Sequence, residues 1–125
     1  MSEAKPTNVA VWFEIPASDF ERAVAFYEDL FATRLKRETI AGVALAIFPC
    51  EQPGVSGAVV KGPQFRPGEG PIVYLNGDGR LDAMLERVPE LGGRVAVPKT
   101  ALPEGMGAFA QIIDSEGNRV GLHTM

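Results

Sequence analysis

The residues of this chain with most capacity for chemistry are Glu14 and His123, a carboxylate near one end and the single histidine near the other. A carboxylate beside an imidazole raises the imidazole pKa toward neutrality, which equips such a pair for general acid/base work or for gripping a polar group of a ligand. A structural hydrogen bond or ion pair uses the same two residue types, and a lone histidine can equally stand in solvent. Trp12 offers a flat wall against which a ligand can stack, or it simply fills apolar volume. Tyr74 and Phe109 are strand aromatics that line a cavity or pack a core. The candidate ligand-binding set is therefore Trp12, Glu14, Tyr74, Phe109 and His123, with Glu14 and His123 as candidate catalytic groups.

Other chemistries find little support. Asn76-Gly77-Asp78-Gly79 has the wrong spacing for a phosphate cradle and an acidic side chain where an anion would sit. No Ser or Thr stands in a nucleophile-elbow context. Cys50 follows Pro49 with no basic cluster beside it, so an inert, partly buried thiol is expected. A divalent metal needs three or four convergent His or carboxylate ligands. One histidine supplies few, and a site improvised from Glu14, His123 and Cys50 would require their strands to meet. No metal and no other cofactor is expected.

Those residues must be positioned by short elements. Val9 to Ile15 is rich in β-formers and stops at Pro16, and alternation puts Trp12 and Glu14 on one face and Phe13 and Ile15 on the other. Ser18 and Glu21 have capping-box spacing, and Phe20, Val24, Tyr27 and Phe31 then form an apolar helical stripe with Ala23, Phe26 and Leu30. Extended pieces follow at 35–39, 43–48 and 55–61. The Gly- and Pro-rich residues 62–71 break every periodicity and read as a connection. A strand at 72–75 opens a second half, followed by a helical stripe of Leu81, Met84, Leu85, Val88 and Leu91. Pro89 should end or kink that helix near Val88, with Gly92-Gly93 as its stop. Strands at 94–97, 107–113 and 118–124 close the chain, the last two joined by the turn Asp114-Ser115-Glu116-Gly117. On the final strand Arg119, Gly121 and His123 share a face. Lys99 and the loop 102–107 either cover a cavity mouth or merely connect strands.

The order βαβββ thus occurs twice, over about residues 7–62 and 71–125, in one α+β domain spanning 1–125. Each half is too small to cover its own sheet, so the halves are expected to pair. At 125 residues with 46% apolar content, the chain can bury a real core without staples. Twelve basic and sixteen acidic side chains, interleaved to a net charge of −4, make nucleic acid and anionic membranes poor partners. The lone cysteine excludes an internal disulfide, and no apolar run follows Met1-Ser2-Glu3-Ala4-Lys5, so a cytoplasmic location is expected.

The stretch from Trp12 to Asp19 running into Glu21-Arg22-Ala23-Val24-Ala25-Phe26-Tyr27, and the closing Asp114 to Leu122, resemble the vicinal oxygen chelate superfamily of glyoxalase I, extradiol dioxygenases and bleomycin-resistance proteins. Leu91-Gly92-Gly93-Arg94-Val95 and Pro98-Lys99-Thr100 are similar to the same family, and the resemblance covers nearly the whole chain. It implies two paired βαβββ modules forming a curved mixed sheet around a concave cavity lined by the Trp12 face. It also implies metal ligands at Trp12, near Ala58, near Val73 or Tyr74, and at Gly121. Indole cannot replace imidazole as a ligand, Gly121 has no side chain, and no His or carboxylate stands at the two middle positions.

Three functions follow as expectations. The first is a small-molecule-binding protein lacking the usual metal site. The second is an atypical metal-dependent or acid/base lyase, isomerase or dioxygenase. The third is a dimeric structural or interaction module. Pairing of two copies into a homodimer is compatible with all three.

Overall fold

The computed structural model describes residue 10 and residues 12–125. Val9 and Val11 of the expected first strand lie outside them. The first module comprises β1 (Phe13–Pro16), α1 (Phe20–Phe31), β2 (Lys36–Ile40), β3 (Val43–Ile47) and β4 (Gly57–Lys61). The second comprises β5 (Tyr74–Asn76), α2 (Leu81–Arg87), β6 (Arg94–Ala101), β7 (Ala108–Ile113) and β8 (Arg119–Thr124). Each module makes a four-stranded mixed sheet, ordered β1-β4-β3-β2 in the first and β5-β8-β7-β6 in the second. In both, the first and last strands run parallel and the others antiparallel. The repeat legible in the sequence is therefore a repeat of topology.

It extends to a single residue pair. Phe13 lies opposite Gly57 in the parallel ladder of the first module, and Tyr74 lies opposite Gly121 in that of the second. In each case the aromatic ring occupies the space where the glycine's side chain would stand. Glycine in a strand interior is unfavourable by itself, and close approach of a neighbouring group is its usual reason.

Alternation sorts the faces. Ile15, Ala46, Val59, Leu75, Ala110, Ile112, Val120 and Leu122 point toward the helices and join Val24, Phe26, Tyr27, Leu30, Leu81, Met84 and Val88 in one core shared by both modules. On the opposite face of the first sheet, Leu45, Ala58 and Val60 form a small separate cluster, packed by Val43, Ile47 and by Phe65 of the connection. The expected stripe on α1 is the stripe that is buried.

The start of α1 differs from expectation. Asp19, not Ser18, is the N-cap, its side chain accepting from the Arg22 backbone N–H at 3.1 Å. Glu21 does not reach back to close a capping box. It pairs instead with Arg37, at 2.7 and 2.8 Å. Ser18 is taken by Glu116 of the β7–β8 turn. Glu116 accepts from the Ser18 and Asp19 backbone N–H groups at 2.9 and 2.8 Å, from the Ser18 hydroxyl at 3.0 Å and from Arg22 at 2.6 and 3.1 Å. Its side chain is fully buried by these partners.

At the other end, α1 stops at Ala32 in the left-handed region (φ 51°). Arg80 donates to the Phe31 carbonyl at 2.9 Å and Arg87 to the Asp29 carbonyl at 2.6 Å. Pro89 acts as expected, since α2 ends at Arg87 and a 3₁₀ turn, Pro89–Leu91, leads into the left-handed Gly92. β6 is longer than expected and runs through Pro98 with register shifts, which is how a proline is tolerated in an edge strand.

Two outcomes test this packing. Phe26 is 2% exposed, so Phe26→Ala should cost about 3–5 kcal/mol in chemical denaturation, whereas a loss below about 1 kcal/mol would mean that the ring is not a core group. Burial pushes the Glu116 carboxyl up, but hydrogen bonds from Arg22, the Asp19 backbone, Ser18 and Ser115 outweigh it and bring its pKa from 4.5 down to about 2. A carboxylate depressed in the folded state stabilises fully above its unfolded pKa, and that contribution fades as pH falls from about 4.5 toward 2. Solvent around the half-exposed Arg22 reduces the linkage value to about 2 kcal/mol. The difference in unfolding free energy between wild type and Glu116→Gln should therefore shrink over that interval.

Candidate functional site

β1 and β5 are each an edge strand of their own sheet, and they share no ladder among the described residues. A pocket of about 510 Å³ opens between β1 and the segment that leads into β5, lined by Trp12, Glu14 and Pro16, by Ile72 and Val73, and by Arg119 at the start of β8. Trp12 is 43% exposed, and its Nε1 donates to Glu14 Oε2 at 3.3 Å. These two candidates therefore stand together, on the open face that alternation assigns to them.

The open face of the second sheet carries Tyr74, Phe109, Gln111, Arg119 and His123 around Gly121. Tyr74 packs edge-on against Phe109 with centroids 6.2 Å apart. Its hydroxyl accepts from Gln111 Nε2 at 2.6 Å, and Gln111 Oε1 accepts from Arg119 at 3.0 Å. His123 lies opposite Phe109, and its Nε2 is 2.8 Å from the Met106 carbonyl in the loop before β7. The structure thus brings Trp12 to Glu14 and Tyr74 to Phe109. It places His123 with Met106 instead of Glu14, and His123 lines neither of the two main pockets. Gln111 and Arg119 were not among the sequence candidates. Arg119 shares the His123 face by alternation, but its connection to Tyr74 requires the β5–β8–β7 register.

A larger cavity, about 700 Å³, lies nearer the C-terminal end of α1, walled by Phe13, Phe31, Phe48 and Tyr74. Its polar groups serve the fold. Arg80 holds the Phe31 carbonyl and covers the Phe31 ring, and Asp78 accepts from the Met125 backbone N–H at 2.6 Å. Cys50 is on its rim, exposed and not partly buried as expected, with its thiol near the Glu51 and Val55 carbonyls. Lys99 pairs with Asp82 at 3.2 Å. We therefore regard the smaller pocket, whose Trp12, Glu14 and Arg119 have no such structural duty, as the better candidate site.

The residues at the ligand positions implied by the resemblance do not fit a metal. Ala58 sits in the apolar cluster with Leu45 and Val60. At Gly121 an added Cβ would meet the Tyr74 ring, so a ligating side chain there requires that ring to move. Among the described residues no three His, Cys, Asp or Glu side chains converge, and Glu14, His123 and Cys50 stand apart.

A twice-repeated βαβββ module with a cavity beside its first strand defines the class of protein. The chain belongs to the Glyoxalase/Bleomycin resistance protein/Dioxygenase superfamily, whose family model matches residues 10–122. No curated protein matches it. Among solved structures it is similar to TnmS3, an antibiotic-binding protein from Streptomyces sp. CB03234, at 25% identity and a TM-score of 0.69, over 97% of this chain and 98% of that one. A glyoxalase/bleomycin resistance protein from the same organism shares 26% identity at a TM-score of 0.67, over 90% and 96% of the two chains. A glyoxalase I variant from Zea mays shares the fold at 18% identity and a TM-score of 0.66. The match covers 90% of this chain but 44% of the maize one, so this chain spans less than half of that relative.

The contact between Tyr74 and Gly121 yields a direct check. Gly121→Ala should cost about 1–3 kcal/mol by overpacking in wild type, and the loss should largely vanish in a Tyr74→Ala background if the ring is what the new methyl meets. An equal loss in both backgrounds would place the cause elsewhere.

Proposed function

We propose that this protein binds a small, largely apolar molecule in the pocket beside Trp12 and does so without the metal centre of its family. One observation carries the reading. The pocket between the modules is walled by Trp12, Ile72 and Val73 and bears Glu14 and Arg119, while Ala58 and the Tyr74-covered Gly121 stand where metal ligands would be needed. Binding sites of small molecules are typically concave and apolar with a few placed polar groups. Similarity to TnmS3, itself an antibiotic-binding protein, supports the same class of function.

The reading includes a homodimer. Tyr74, Ile72 and Trp12 are 47%, 41% and 43% exposed near β1 and β5, each of which is paired on one side only among the described residues. A second copy would cover such edges and deepen the pocket. No helix among the described residues is long and apolar enough to cross a membrane, and with the acidic charge balance this is compatible with a cytoplasmic setting and a small-molecule partner.

Elemental analysis of tag-free protein, paired with a thermal-shift screen of flat apolar compounds, tests the proposal. Metal should remain far below stoichiometric, chelator should leave Tm unchanged, and compounds that raise Tm should lose that effect in Trp12→Ala. A stoichiometric metal whose removal lowers Tm would overturn the reading in favour of an atypical metalloprotein.

A further inference from the structure

We propose that Arg119 reads an anionic oxygen, a carboxylate or phenolate, on a flat aromatic ligand lying against Trp12, and that Gln111 and Tyr74 hold the guanidinium for that purpose. The inference rests on the Trp12 pocket being a ligand site and adds the chemical class of its occupant.

Arg119 is the first residue of β8, and its exposed side chain lines the same pocket as Trp12 and Glu14. A guanidinium has five N–H donors. One is directed at Gln111 Oε1, 3.0 Å away. That amide is in turn fixed, because its nitrogen donates to the Tyr74 hydroxyl at 2.6 Å. Tyr74 is itself pinned, its ring filling the space over Gly121 and meeting the edge of Phe109. A chain of steric and hydrogen-bonding constraint therefore runs from Gly121 through Tyr74 and Gln111 to Arg119.

Its partners are neutral, so the charge of Arg119 is not consumed. Arg22 and Arg37 are paired with Glu116 and Glu21, and Arg80 and Arg87 with helix carbonyls. Among the described residues Arg119 pairs with no carboxylate, although Glu14 lines the same pocket. A pre-oriented guanidinium with free N–H groups matches the bidentate geometry of a carboxylate and needs little further ordering. Trp12 has its N–H committed to Glu14, which leaves the ring face as its contact surface. Glu14 disfavours negative charge at its own wall, so the anionic end of the ligand points toward Arg119.

The test is a proton–nitrogen NMR titration with naphthoate and its neutral analogue naphthamide, following the indole N–H of Trp12, the single tryptophan of the chain. Both probes should move that resonance, and naphthoate should bind about tenfold more tightly. Arg119→Gln should remove the preference by weakening naphthoate alone, and Arg119→Lys should restore part of it. Gln111→Leu should narrow the preference by weakening naphthoate more than naphthamide, whereas simple loss of packing would weaken both alike. Equal affinity for the two probes, or a preference that survives Arg119→Gln, would overturn the role of Arg119 while leaving the pocket reading intact. An indole resonance that neither probe moves at its solubility limit would overturn both.

Discussion

Helix α1 belongs to the first module and is capped at its start by Asp19, yet the second module contacts both of its ends. A helix leaves N–H groups unpaired at its start and carbonyls unpaired at its end, with the corresponding partial charges. Here Asp19 takes the Arg22 N–H, the Glu116 carboxylate accepts from the Ser18 and Asp19 N–H groups just before the first turn, and Arg80 and Arg87 meet carbonyls at the finish. The signs are those the helix dipole favours. Because α1 carries no basic residue in its last turn, the second module supplies that charge across the interface.

The rest of the contact between modules depends on this arrangement. The turn that carries Glu116 also carries Asp114, which is buried and accepts from the Tyr27 hydroxyl at 2.7 Å. Burial, reinforced by the neighbouring Asp114 charge, pushes the Tyr27 hydroxyl well above its ordinary pKa, so it remains a donor to Asp114. Asn118 donates to the Pro16 carbonyl at 2.7 Å and accepts from the Gly68 backbone N–H at 2.7 Å, tying together β1, the connection and the start of β8. No buried side-chain nitrogen or oxygen among the described residues lacks a partner. Buried polar networks of this kind define a unique arrangement only when fully satisfied. The placement of β1 against the connection and the start of β8 follows from it, and with that placement the pocket containing Trp12, Glu14 and Arg119.

Much of this was legible in the sequence where the controlling interactions are local. The α1 stripe, the break at residues 62–71, the end of α2 before Pro89 and the shared face of Trp12 and Glu14 all follow from periodicity or from the covalent limits of proline. What was not legible depends on distant partners. Ser18 and Glu21 have the spacing of a capping box, but the Ser18 hydroxyl is captured by a carboxylate 98 positions away. Arg119 looks like one more surface charge until the strand order sets it beside Gln111 and Tyr74. Glycine at position 121 reads as the mere loss of a ligand, whereas in the fold it is what admits the Tyr74 ring.

The central proposal is that this member of its superfamily keeps a ligand cavity while an aromatic ring stands in the place of the metal. A crystal structure of tag-free protein, read for density beside Trp12, Glu14 and Arg119, tests it most directly. The account predicts the Tyr74 ring lying on Gly121 and an open or organically occupied pocket against Trp12. A coordinated metal ion with Tyr74 displaced, or a pocket closed by the protein's own side chains, would contradict it.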